Sequence, residues 1–188
     1  MLRVVVLDAC VLFSASLRDT LLRAAKSKLY ILRLTDEILE ETRRNLVVKR
    51  KSTEIQAQRL LQTIEIAFKD YFVRDHHTFI ALMPINEKDR HVLAAAVACQ
   101  AQTIVTHNLK DFPPHLLAPY GIEAISPDSF LTSLYWNNPQ ALEEVLLKQA
   151  AQLRNPPMTV FDVLDRLTLD APNFVRSIRI RFENANSQ

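Results

Sequence analysis

The sequence predicts an α/β fold: a parallel-sheet unit over residues 1–128, followed by an all-helical extension over residues 129–188. Three observations carry this. Residues 3–7 (RVVVL) and 103–106 (TIVT) are short β-branched runs without polar alternation, the pattern of strands buried on both faces, as parallel strands are. Between such runs lie segments whose apolar residues recur at helical spacing. Beyond Ser126-Pro127 the strand-like runs stop and amphipathic helical patterns take over.

In chain order, the first run ends at Asp8, which places that carboxylate at the carboxyl end of a buried strand. A carboxylate there is costly unless a cation or donors meet it, so Asp8 is either a helix cap or part of a site. Leu17, Leu21, Leu22 and Ala25 are spaced for a helix reaching about Lys28, and residues 30–34 make a second strand. Thr35-Asp36-Glu37 opens the next helix, its acids complementing the dipole. Ile38, Leu39 and Leu46 form its apolar stripe. At about 100° per residue, Glu41 falls about 60° from Ile38 and Glu40 about 160° away. Glu41 therefore borders the buried face, with Glu37 one turn earlier on the same side, and Glu40 points to water.

Thr53 with Gln56 is a capping-box start for a helix carrying Ile55, Leu60, Leu61, Ile64 and Phe68. Residues 70–85 show no regular pattern. Asp89 then precedes a helix whose residues 92–99 are a small-apolar run, buried on most sides. The strand at 103–106 follows, then an acidic turn ending at Asp111, and residues 122–125 make one more strand. Pro127 opens the helical extension at a first helical position. Residues 139–154 are amphipathic through Leu142, Val145, Leu146 and Leu153; Thr159 with Asp162 caps a short helix. Phe174, Val175, Ile178 and Phe182 mark a last helix that also carries Arg176, Arg179 and Arg181.

Composition narrows the function. With one glycine, Gly121, glycine-rich phosphate loops are excluded. Cys10 and Cys99, both in apolar runs, argue against a disulfide framework or a zinc site and for a reducing cytoplasm. The opening residues imitate a signal peptide, but Asp8 breaks the apolar stretch in its middle, and no run reaches the ~18 apolar residues of a membrane span. The net charge is +2, yet residues 1–51 hold eleven Lys and Arg against six Asp and Glu. That excess, concentrated at Arg43, Arg44, Lys49, Arg50 and Lys51, is either a surface for a polyanion or a solvated helix end. His76 and His77 are adjacent, so they share no face of a helix or strand, and no third residue stands at ligand spacing; the sequence gives them no metal role.

Asp8, Asp89 and Asp111 lie at element ends of the kind that converge on one edge of a parallel sheet, with Glu41 on a neighbouring helix. Carboxylates gathered so closely stay ionised only beside cations. Oxygen-only ligands suit Mg²⁺ or Mn²⁺, and such a centre activates water against a phosphodiester and steadies the leaving oxygen.

The segments VVVLDACVLFSA, TDEILEETRRNL, DRHVLAAAVA and TIVTHNLKDF, in that order, resemble the PIN-domain ribonucleases, in particular the toxins of bacterial VapBC-type toxin–antitoxin pairs. The resemblance covers roughly residues 2–128. It implies a three-layer α/β/α fold with a central, mostly parallel sheet, and metal-dependent cleavage of single-stranded or looped RNA. Carried over, the catalytic acids are Asp8, Glu41, Asp89 and Asp111, with Asp8, Asp89 and Asp111 holding the ion and Thr106 as the hydroxyl at the strand end. Many members have an aspartate where this chain has Asn108, so either Asn108 or Asp111 faces the metal. The helical tail resembles an extension on some of these toxins. The family also implies a small antitoxin partner, and apolar residues on the helices around 12–25 and 53–72 suit a homodimer face, an antitoxin groove, or cover by the tail. A haloacid-dehalogenase-like phosphatase needs a second aspartate at Cys10 and is excluded. A catalytically silent module that binds RNA or protein is disfavoured by the retention of all four acids.

Overall fold

A computed structural model describes residues 2–186. In chain order the elements are β1 (Val4–Leu7), α1 (Ala9–Leu12), α2 (Ala15–Lys26), β2 (Ile31–Arg33), α3 (Asp36–Val48), α4 (Glu54–Phe68), α5 (His77–Ile80), α6 (Arg90–Ala98), β3 (Thr103–Val105), α7 (Pro114–Leu117), β4 (Glu123–Ile125), α8 (Pro127–Asn137), α9 (Pro139–Gln152), α10 (Val160–Leu167) and α11 (Pro172–Asn186). They form two compact units: residues 2–13 with 31–125, and residues 14–30 with 126–186. Among the described residues no helix is long and apolar enough to cross a membrane.

The first unit is built on a four-stranded sheet in the order β2-β1-β3-β4, with every neighbouring pair parallel. The two central strands are the β-branched runs: Val5, Val6, Leu7, Ile104 and Val105 have no exposed surface. Helices over a parallel sheet leave neither face to water, and this selects continuous apolar strands over alternating ones. Leu7 pairs with Val105, so the residues that follow, Asp8 and Thr106, emerge side by side at the carboxyl edge. The Asp8 amide continues the ladder by donating to the Val105 carbonyl at 3.1 Å.

Around the sheet, Thr35 caps α3 by accepting from the Ile38 amide, and Thr53 with Gln56 forms the expected capping box on α4. Helix α6 buries Val92, Leu93 and Ala94 to Ala96, its small side chains bringing the backbone close to β1 and β3. Residues 70–85 are not wholly irregular. They hold a 3₁₀ turn at 69–71, the short α5, and a parallel bridge from Leu34 to Phe72 that extends the β2 edge.

The second unit is helical. Helix α2 packs on α9 and α10, and α8 on α9 and α11. Leu17, Leu21, Leu142, Leu146, Val163 and Leu164 have no exposed surface, each fully buried side chain contributing about 1.5–3 kcal/mol. A buried polar pair fixes the α2–α9 register: the Thr20 hydroxyl donates to Gln149 Oε1 at 2.7 Å and Gln149 Nε2 donates to the Ser16 carbonyl at 3.2 Å. Asp128 ties α8 to the start of α11, accepting from the Phe174 amide at 2.9 Å and from Asn173 Nδ2 at 2.7 Å. Thr159 and Asp162 close a capping box on α10.

Candidate active site

Asp8 occupies the capping position of α1, yet its side chain makes no cap bond. It turns instead to the neighbouring strand end. Its Oδ2 accepts from the Thr106 hydroxyl at 2.7 Å and from the Cys10 thiol at 3.1 Å. Burial, reinforced by Asp8 itself, pushes the Cys10 thiol up to about 12, so it stays protonated and remains a donor. The arrangement is held from behind, because the Asn108 amide donates to Thr106 Oγ1 at 2.9 Å and the His107 amide to Cys10 Sγ at 3.2 Å. A chain of donors thus runs from the turn after β3 to one oxygen of a carboxylate that is 5% exposed.

Three further carboxylates belong to the candidate set, and Asp89 feels the charge of the other three acids. Asp89 ends the 3₁₀ turn that leads into α6, and Asp111 ends the 3₁₀ turn after β3. Glu41 sits on α3 where the helical spacing puts it, half-buried, whereas Glu40 is exposed and pairs with Arg43. Burial, followed by the charges of Asp111, Asp8 and Glu41, holds the Asp89 carboxyl above the usual aspartate range, even against the opposing pull of Lys88. Asp89 Oδ2 is buried and has no hydrogen-bond partner. A cation has already entered the gap: Lys88 Nζ lies 3.1 Å from Asp111 Oδ2 and 3.6 Å from Asp89 Oδ2. Glu41 Oε2 meets His91 Nε2 at 3.3 Å, and this contact outweighs burial to lower the Glu41 carboxyl.

A PIN-domain model matches residues 4–110, and a model described as the VapC50 C-terminal domain matches residues 127–180. Over 115 residues the chain is 39% identical to a Mycobacterium tuberculosis protein named "Putative ribonuclease VapC50", a match that covers 61% of this chain and 68% of that protein. The chain is a VapC-like PIN-domain protein. No solved structure matches it significantly.

In this PIN domain Asp8, Asp111 and Glu41 all lie near enough to act on Asp89. Of the two candidates after β3, Asp111 presents its carboxylate to Lys88 beside Asp89, and Asn108 is exposed and contributes its main-chain N–H to Thr106. The basic residues divide. Arg43 is engaged by Glu40 and Glu54, and Lys49 Nζ lies 4.9 Å above the Phe13 ring. Arg44, Lys49, Arg50 and Lys51 are exposed, and Arg44 also lowers the Glu41 carboxyl from a distance. Lys88 and His91 are the site residues that sequence reasoning missed. The signal lay in their positions flanking Asp89, in NEKDRH, where a lysine at the helix entry and a histidine in its first turn reach the same space.

Proposed function

We propose that this VapC-like PIN-domain protein is a metal-dependent endoribonuclease that hydrolyses RNA phosphodiester bonds in the cytoplasm and serves as the toxin of a toxin–antitoxin pair. The single observation that carries the reading is the buried oxygen of Asp89, which has no hydrogen-bond partner, feels the charges of Asp8, Asp111 and Glu41, and is approached by a lysine ammonium. That environment calls for more positive charge than the protein supplies, and its oxygen-only donors suit Mg²⁺ or Mn²⁺. The name of the mycobacterial relative points the same way.

Asp8, Asp89 and Asp111 would hold the ion, with Glu41 beside them. When bound, it supplies a Lewis acid that lowers the pKa of water and offsets charge on the phosphate. The protein's own residues do the positioning. Thr106 and Cys10 fix one oxygen of Asp8 and so orient its other oxygen. His91 keeps Glu41 ionised and aimed, ready to take a proton from an attacking water. Lys88, exposed at the rim and paired with Asp111 and Asp89, would be placed to offer its ammonium to a phosphate oxygen of the RNA. Arg44, Lys49, Arg50 and Lys51 extend that positive edge along the RNA backbone. Exposed Val48, Ile55 and Ile66 on α3 and α4 are the apolar surface offered to a second copy or to a small antitoxin protein.

The test is purified protein with structured RNA, in Mg²⁺ or Mn²⁺ against EDTA. Cleavage that depends on the divalent ion and disappears with Asp89→Asn supports the reading. RNA that stays intact with either ion, or is cut equally in EDTA, overturns it.

A further inference from the structure

A second group of ligating side chains lies in the same unit as the acids but uses none of them. The parallel bridge between Leu34 and Phe72 sets it up: the Leu34 amide donates to the Tyr71 carbonyl at 3.2 Å and the Val73 amide donates to the Leu34 carbonyl at 2.8 Å. Both segments leave that bridge in the same direction. Three residues past Leu34 is Glu37, in the first turn of α3; four and five past Phe72 are His76 and His77. The chain therefore delivers one carboxylate and two imidazoles to one place. Glu37 Oε2 lies 3.1 Å from His76 Nε2, and Glu37 Oε1 lies 3.1 Å from His77 Nδ1. One ligand atom from each of the three residues falls within 4.8 Å of the others.

The sequence offered the two histidines no third residue at ligand spacing; the fold brings Glu37 to them. Adjacent histidines do not share a face of a regular helix or strand, but here the pair stands at the entry to α5, where the backbone turns and brings the rings to 4.3 Å between centroids. Glu37, the third member, is remote in sequence and carries no spacing signal.

Three features distinguish the group from an ordinary surface ion pair. First, His76 is 1% exposed and its Nδ1 is buried without a hydrogen-bond partner, a cost that the fold bears although the ring's Nε2 meets Glu37. Second, a tetrahedral ion with donors at about 2.0–2.1 Å holds those donors about 3.3–3.4 Å apart; each carboxylate oxygen of Glu37 meets one imidazole at 3.1 Å, and one donor atom from each of the three residues stays within 4.8 Å of the others, so a small closure would seat an ion. Third, the donors are two nitrogens and an oxygen, a set that suits zinc-class ions, unlike the oxygen-only acids around Asp89.

We propose that Glu37, His76 and His77 form a second metal site, for Zn²⁺ or an ion of its class, with water completing the coordination. Bound there, the ion ties residues 72–77 to the first turn of α3, one turn before Glu41. The proposal does not depend on RNA cleavage and survives its failure.

The test uses the full chain and Co²⁺, a spectroscopic stand-in for Zn²⁺, in a large excess of Mg²⁺ that saturates oxygen-only sites. Wild-type protein is expected to take up one equivalent of Co²⁺ with the intense visible bands of a four-coordinate, nitrogen-containing site, to lose them on adding Zn²⁺, and to melt at a higher temperature with either ion. His77→Ala and Glu37→Gln alter side chains that are 64% and 35% exposed, so both variants are expected to fold with metal-free melting temperatures near wild type. Both should lose the bands and the metal-dependent rise in melting temperature, whereas Asp89→Asn should keep them. Absence of the bands in wild-type protein overturns the proposal. So does their persistence in both His77→Ala and Glu37→Gln, or their loss in Asp89→Asn, which would assign the ion to the acids.

Discussion

Thr106 offers the cleanest test of how the buried carboxylate is held. Replacing it with valine keeps the β-branched shape at the end of β3 and removes only the hydroxyl. That hydroxyl is fully buried, donates to Asp8 Oδ2 at 2.7 Å and accepts from the Asn108 amide at 2.9 Å. A hydrogen bond to a charged group contributes about 1.5–3 kcal/mol. Asn108 is exposed, so water can replace much of its lost acceptor, and the total cost stays at about 2–3 kcal/mol. For a chain of this size each kcal/mol shifts the midpoint by about 2–4 °C, so Thr106→Val should melt about 4–12 °C lower. Thr106→Ser keeps the hydroxyl and loses one buried methyl, about 0.8 kcal/mol, and should fall by only about 2–3 °C. Thermal melts of the three proteins, with Mg²⁺ titrations of RNA cleavage, separate the two roles of the residue. Valine should weaken the Mg²⁺ dependence by about 10–100-fold, as loss of a bond that orients a metal ligand does, and serine should leave it near wild type. If valine and serine cost the same in both measurements, the hydroxyl does not hold Asp8 and the reasoning fails.

Asp89→Asn should abolish cleavage while raising the melting temperature without metal at neutral pH, because the native state holds this carboxyl above its ordinary value near 3.8. The sign follows: the native protein gains from protonating Asp89 below that value and loses the gain as pH rises through the raised one. The variant's advantage in melting temperature should therefore be absent in acid and grow with pH, and a lower melting temperature at pH 7 would contradict it. Replacing Lys49, Arg50 and Lys51 together with alanine should weaken RNA binding and flatten the log-affinity against log-salt slope by up to about two; an unchanged slope makes them a solvated helix end. Truncation after Ser126 removes α9 and α10 from α2, leaving Leu17 and Leu21 without their cover, so the shortened chain should aggregate. A soluble, active truncated protein would show that α2 does not need them.

Much of the fold was legible because local signals and burial agreed. The β-branched runs at 3–7 and 103–106 became the two central strands, and the Thr53–Gln56 and Thr159–Asp162 pairs became capping boxes. Helical spacing put Glu41 toward the interior and Glu40 in water, as observed. Asp8, Asp89 and Asp111 stood out as candidates because each sits at an element end, a position that sequence marks, and Glu41 stood out by its helical spacing from Ile38. Lys88 and His91 did not, since a lysine before a helix and a histidine within one have ordinary surface roles, and only the converging carboxylates give them another. The partner of α2 was equally hidden: an amphipathic stripe says that a face is covered, not by what. Glu37, His76 and His77 were hidden for a third reason. What joins them is the Leu34–Phe72 bridge, a single pairing outside any strand run, whose register no periodicity records.

The membership of α2 in the second unit has a consequence for the order in which the protein is made. Thr20 and Gln149, which meet in that unit, are 129 positions apart. At synthesis rates of about 5–20 residues per second, α2 leaves the ribosome roughly 6–25 s before the end of α9 exists. Throughout that interval Leu17 and Leu21 have no native cover, and closing so long a loop slows the final step further. The remainder of the first unit, residues 31–125, is all synthesised meanwhile and joins β1, which is already made, so assembly of that unit can begin while the second still lacks most of its core. The helical unit is consequently the late-forming half of the molecule, although one of its helices is among the first segments translated.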